Sequence, residues 1–283
     1  MKHSIQDTHF SIQHILAQHG HQLLIVAASL IALFFVAVSV HACDSNIPDQ
    51  RKLALEAGDT YNWEHLELID GRYHYLEDGA DIARTGIDVS EHQGPIDWSA
   101  VSHDGIDFAF VRLGNRGATT GSLRIDDYAL ENLRGATKAG LDVGVYFFSQ
   151  ATNESEAIEE AEFALDLLAG HQIALPVVFD HEPVPGVEGR TEGLTDDQLT
   201  SIARAFCEKV SSAGYDTMIY GNARDLARYD TSALNTMGIW LAEYEVEKPS
   251  YSSGFSVWQY SNTGRVKGID VDVDMNVMLL RHN

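Results

Sequence analysis

From Thr85 onward, short apolar runs alternate with longer stretches whose apolar positions recur at helical spacing. Eight runs read as strands: GIDVS from Gly86, FAFVRL from Phe108, VGVYFF from Val143, PVVFD from Pro176, TMIYGN from Thr217, GIWLAEY from Gly238, FSVWQYS from Phe255 and VDVDMNV from Val271. Amphipathic helices are predicted over Tyr128 to Ala139, Glu154 to Leu168 and Asp196 to Ala213. Strand following helix following strand predicts an α/β fold, a closed parallel (β/α) barrel of TIM-like type. The last three runs are joined by segments too short or irregular for full helices. The barrel is therefore expected to be irregular, with fewer than eight full helices. An open doubly wound sheet is the competing arrangement of the same units.

Upstream the pattern changes twice. YNWEHLELIDGRYHYL, from Tyr61, alternates around Asp70-Gly71 and reads as a β-hairpin. Leu23 to Val40 is a run of 18 residues without a charge, near the length that spans a bilayer. It exceeds the ~7–15 apolar residues of a signal-peptide core, which favours a retained anchor. The expected layout is a polar segment over 1–22, a membrane segment over 23–40, a stalk with the hairpin over 41–84 and a barrel over 85–283. VHAC, at Val40 to Cys43, offers the alternative of cleavage after Ala42 or a lipid on Cys43.

Charge narrows the partners. Against 19 Lys and Arg stand 42 Asp and Glu, a formal net charge of −23. A field of that sign repels nucleic acid and anionic membrane surface. The length, 283 residues, suits one barrel of about 250 residues plus accessories, expected to be a monomer. Cys43 and Cys207 imply no disulfide framework, and Cys207 reads as a small buried apolar residue. No HxxxH or HxH spacing supports a metal site, and no cofactor is called for.

Candidate chemistry sits at strand ends, where barrels carry their active sites. In VVFDHEP an apolar strand runs into Asp180 and Glu182, whose i, i+2 spacing projects both to one side while His181 projects to the other. Asp88 ends the first strand, Tyr146 falls in the third and Tyr220 in the fifth. Trp240 and Tyr244 follow from the sixth, Trp258, Gln259 and Tyr260 from the seventh, Asp272 and Asp274 from the last. Taken singly, an Asp at a strand end caps a turn as readily as it does chemistry, and a strand Trp is more often core. Taken jointly, carboxylates flanked by aromatic rings at one mouth describe a carbohydrate cleft.

These residues resemble glycoside hydrolase family 25, the Chalaropsis-type lysozymes. The likeness rests on GIDVS near the domain start, an apolar strand ending Asp-x-Glu, then WQY, then D-x-N in the last strand. The resemblance implies an irregular β/α barrel that cleaves the β-1,4 bond between N-acetylmuramic acid and N-acetylglucosamine in peptidoglycan glycan strands. It implies Glu182 as the catalytic acid, Asp180 as its partner, and Asp88 and Asp274 as supporting carboxylates. Tyr146, Tyr220, Trp240, Tyr244, Trp258 and Gln259 would bind the sugar. Two departures stand out: His181 inside the Asp-x-Glu motif, and Phe147 where many members carry histidine. Both alternate away from the lumen by strand parity. The competing functions are a glycan-binding protein of the same fold without activity, and a metal-dependent deacetylase using His181. The expected location is the cell membrane, single-pass, with the barrel outside, or a secreted or lipid-anchored form after cleavage near Ala42.

Cβ atoms at i and i+2 on one strand are about 6.5–7 Å apart, so Asp180 and Glu182 approach a glycosidic bond from one side. That makes Asp180 awkward as a nucleophile on the opposite face. It favours a course assisted by the sugar's own acetamido group.

Overall fold

The structure, a computed structural model, describes residues 61–279 except 231. The expected membrane segment and residues 41–60 of the stalk lie outside the described residues. Among the described residues no helix is long and apolar enough to cross a membrane.

The first element is the hairpin, β1 (Leu66–Ile69) and β2 (Arg72–Glu77), paired antiparallel, with the short β3 (Ala80–Asp81) on the far edge of β2. Asp70 (φ 51°) and Gly71 (φ 78°) both take the left-handed conformation that a two-residue hairpin turn needs. The hairpin rests on the barrel exterior: the Tyr73 ring lies 4.7 Å from Trp258 and 4.9 Å from Tyr260. Tyr260 Oη donates to the Gly71 carbonyl at 3.2 Å.

Then come β4 (Ala83–Val89), α1 (Trp98–His103), β5 (Phe108–Arg116), β6 (Leu123–Ile125), α2 (Ala129–Lys138), β7 (Asp142–Phe148), α3 (Glu154–Leu168) and β8 (Val177–Asp180). The chain continues through α4 (Asp196–Ser212), β9 (Thr217–Asn222), α5 (Ala223–Leu226), β10 (Gly238–Ala242), β11 (Val257–Gly264) and β12 (Val273–Leu279). The sheet runs β4-β12-β11-β10-β9-β8-β7-β5-β6, and β4 also pairs β5, closing a barrel of eight strands with β6 as an outer flap. All eight apolar runs read as strands are barrel strands. The helices thin out as expected, since α5 has four residues and none separates β10 from β11 or β11 from β12.

One expectation changes. The barrel is not wholly parallel, because β12 pairs antiparallel with both β11 and β4. Between Gly264 and Val273 there is too little chain for a crossover of a dozen residues, so the strand must fold straight back. The reversal brings the start of β12 to the mouth where the parallel strands end, with Asp274 in register opposite Asp88.

Strand parity sorts the core into two shells. Inside the barrel, Phe108, Phe110, Val178, Met218, Trp240, Val257 and Met278 fill the lumen, with Phe110 stacked on Trp240 at 4.5 Å. A side chain at Gly86 would collide with the Phe108 ring, and one at Gly144 with Phe110, so these lumen positions need glycine. Outside, Val111, Val145, Phe147, Phe179 and Ile219 belong to a shell to which the helices contribute Leu133, Ala161, Phe206 and Cys207, while Trp258 packs against Tyr73 of the hairpin. The two long helices begin on side-chain caps: Asn153 accepts from Glu156 N, and Thr195 with Gln198 forms a capping box.

Candidate active site

At the mouth defined by the parallel strand ends lies a cleft of about 200 Å³. The inward parity that puts Phe110 in the lumen puts Arg112 one step higher on β5. In the same way Asp88 stands above Gly86, Asp180 above Val178, Tyr220 above Met218, Gln259 above Val257, and Asp274 and Asn276 above Met278. The structure thus brings Asp88, Asp180, Glu182 and Asp274 to one cleft with Tyr146, Tyr220, Trp240 and Gln259.

Two predicted residues sit elsewhere. Tyr244 is at the rim, 36 % exposed, and joins the site through its hydroxyl, which donates to Gln259 Oε1. Trp258 is not in the cleft. It is buried in the outer shell against Tyr73 and Tyr260, its indole N–H donating to the Glu243 carbonyl at 2.8 Å. Period two permits only one of Trp258 and Gln259 to face inward, and Gln259 does. Tyr260 follows Trp258 outward, and Asp272 pairs with Arg265 at the surface. His181 turns away from the acids and stacks on Phe179, 5 % exposed, with burial lowering its pKa to about 4. Phe147 likewise faces outward, onto Phe163 of α3.

A hydrogen-bond network fixes the floor. Tyr220 Oη and Tyr244 Oη both donate to Gln259 Oε1, so the Gln259 amide must turn its N–H toward Asp88 Oδ2, at 2.7 Å. Asn276 Nδ2 donates to the same oxygen at 2.8 Å while its own oxygen accepts from Trp240 Nε1 at 2.8 Å. Asp88 is therefore held as an acceptor. Arg112, Phe148, Ser90 and Gln93 carry no candidate role in the sequence reading, and Asn276 enters it only as the last residue of the D-x-N motif. Parity along FAFVRL is the signal that points to Arg112.

All four acids hold protons more tightly than free carboxyls, chiefly because burial disfavours the charged form. Asp88 rises to about 6, against the pull of its two amide donors. Glu182 rises to about 7, through burial and then the charges of Asp225 and Asp274. Asp274 rises to about 8, through burial and then Asp88. Asp180 is pushed well up by burial, then by Glu182 and Asp88, while Arg112 opposes the shift. Asp180 Oδ1 is buried without a hydrogen-bond partner. A proton on Glu182 removes one of the causes raising Asp180, but burial and Asp88 still hold it above a free carboxyl. Asp88, at about 6, ionises before Glu182, at about 7. The cleft can thus present a protonated carboxyl beside a carboxylate, the pairing that glycosidic bond cleavage uses.

Residues 87–269 match the family model for glycosyl hydrolases family 25. An autolytic lysozyme of Clostridium acetobutylicum is 28% identical over 191 residues, which cover 68% of this chain and 54% of that protein. Lysozyme M1 of Streptomyces globisporus is 33% identical over 202 residues, covering 68% of this chain and 66% of that one. Among solved structures, the modular autolysin LytC of Streptococcus pneumoniae superposes with a TM-score of 0.61 at 26% identity, over 75% of this chain and 51% of that one. The chain thus spans between half and two thirds of these relatives.

Proposed function

The chain belongs to glycosyl hydrolase family 25, and on that premise we propose that it hydrolyses the β-1,4 bond between N-acetylmuramic acid and N-acetylglucosamine in peptidoglycan. The observation that carries this reading is the cleft itself, with Glu182 held protonated near neutral pH beside Asp180 under a floor of Tyr220, Trp240 and Tyr146. Glu182 donates its proton to the leaving oxygen as the bond breaks. Asp180 leaves the same strand end on the same side. It is placed to accept the acetamido N–H and orient that group's oxygen toward the anomeric carbon. Burial, and then the charges of Asp225 and Asp274, keep the proton on Glu182, while Gln259 and Asn276 fix Asp88 beside them. Tyr146, Tyr220, Trp240, Tyr244 and Gln259 bind the sugar rings.

Incubation of the protein with purified peptidoglycan in the presence of a chelator tests the reaction. New reducing ends on muramic acid are expected. Binding without new ends would favour a glycan-binding protein, and acetate release that the chelator stops would favour a deacetylase. The orientation of His181 onto Phe179 speaks against the deacetylase, since it removes the imidazole from the acids. Anomer analysis of the first product should show retention, and inversion would refute acetamido assistance.

For location, the uncharged run over 23–40 supports a single membrane anchor with the barrel outside the cell. Full-length protein should sediment with membranes, resist salt and yield to detergent. Recovery from the medium beginning at Cys43 would establish cleavage after Ala42 instead.

A further inference from the structure

The strand end that carries Glu182 is held by a buried side chain that does not itself reach the cleft. Gln150 lies two residues beyond β7, is 1 % exposed, and is not among the residues lining the cleft. Its Nε2 donates to the Glu182 main-chain carbonyl at 2.8 Å, and its Oε1 accepts from Thr191 Oγ1 at 3.3 Å. Its own N–H donates to Glu160 Oε1 at 3.3 Å, and its carbonyl accepts from Arg190 Nη1 at 3.2 Å. The segment from Glu182 to Thr191 therefore leaves Gln150 and returns to it.

The reason for this arrangement lies in the strand. β8 has only four residues, and the β7–β8 ladder ends with Ser149 N donating to the Asp180 carbonyl at 2.7 Å. The next ladder bond, to the Glu182 carbonyl, would come from Ala151 N, but that group donates to Ser149 Oγ instead. The Gln150 amide takes its place. It can do so because it is itself clamped: Glu160 is fully buried between Arg116 Nε at 2.8 Å and Ser149 Oγ at 2.6 Å. Arg190 grips both oxygens of Glu156, at 2.7 and 3.0 Å. Beyond Glu182 the loop from Pro183 to Glu188 is mostly exposed and makes little else to fix the acid's height.

We infer that Gln150 is a positioning residue for the reaction, replacing the missing ladder bond so that the Glu182 carboxyl is held at its working distance from the glycosidic oxygen. The inference rests on Glu182 being the proton donor. A displacement of about 1 Å at a reacting group can cost about 10²-fold in rate, so loss of this one donor should be visible in kcat.

The test uses the full-length chain in detergent, with purified soluble peptidoglycan glycan strands as substrate and reducing ends as the readout. Gln150→Glu keeps the shape and the acceptor for Thr191 and, when ionised, loses the donor and sets an oxygen against the Glu182 carbonyl. A buried glutamate can take up a proton and donate, so Gln150→Met, which cannot donate in any protonation state, is measured beside it. The expected result is a folded protein whose kcat falls roughly 10- to 100-fold with KM nearly unchanged. Its alkaline limb should also move to lower pH, because a carboxyl that drifts toward water loses the burial that raises its pKa. Thr191→Val removes the other arm and should leave kcat and the limb near wild type. A folded Gln150→Met protein with wild-type kcat and limb would overturn the inference, as would an equal loss in Thr191→Val. Gln150→Met carries the same expectations whether or not the glutamate variant folds. Glu182→Gln in the same assay separates the failures. Retained activity there removes the premise, whereas an inactive Glu182→Gln beside an unimpaired Gln150→Met removes only the role given to Gln150.

Discussion

Asp274→Asn should stabilise the protein, and by an amount that grows with pH. In the folded chain burial and the facing Asp88 hold the Asp274 carboxyl at about 8, against 3.8 for the free side chain. Because its folded value is the higher one, the native state keeps a proton that the unfolded state has released. Stability then falls as pH rises from about 4 to about 8, by about 1.4 kcal/mol per unit for a whole proton. From pH 4 to pH 7 that is about 4 kcal/mol, and about 2 kcal/mol if the proton is shared with Asp88. Asparagine stays neutral and can still donate to Asp88, so the variant escapes the loss. For a domain of this size 1 kcal/mol moves Tm by about 2–4 °C, so the gain near pH 7 is roughly 5–15 °C. The measurement is Tm of both proteins by calorimetry from pH 4 to pH 9. The curves should meet near pH 4, separate up to about pH 8 and run parallel above it. A constant difference across the range, or a wild type that gains on the variant with rising pH, would refute the reasoning.

Two further expectations follow from the same geometry. Trp258→Ala should lower stability by about 3–5 kcal/mol, as truncation of a buried aromatic does, with KM of the folded fraction unchanged; intact Tm with weakened glycan affinity would return Trp258 to the cleft. On the proposed mechanism Glu182 acts as a protonated carboxyl, and its value is about 7, so the rate should fall on the alkaline side through a pKa near 7. A pH–rate profile still flat at pH 9 would remove Glu182 from the acid role.

Much of this was legible in the residues because a barrel writes a simple pattern. Each of the eight apolar runs became a strand, and the helices over 154–168 and from 196 start on residues whose side chains cap them. The direction of β12 was not read, although the eight residues between Gly264 and Val273 carry the reason. That the four acids share one cleft was legible because each stands at or just beyond a strand end with inward parity. Trp258, which the family resemblance implies in the cleft, lies outside it because parity gives the inward position to its neighbour Gln259. Gln150 and the Arg116–Glu160 pair were invisible for a different reason. Their roles depend on segments returning across 32 to 44 residues, and no local spacing encodes such a return.

The central claim is that Glu182 delivers the proton that breaks a peptidoglycan glycosidic bond, and Glu182→Gln measures it most directly. The amide keeps the side chain's shape but has no acidic proton, so folding and glycan affinity should stay near wild type. The single-turnover rate on purified glycan strands should fall by ~10²–10⁴-fold. A variant that cleaves within a few-fold of wild type, correctly folded, would contradict the account.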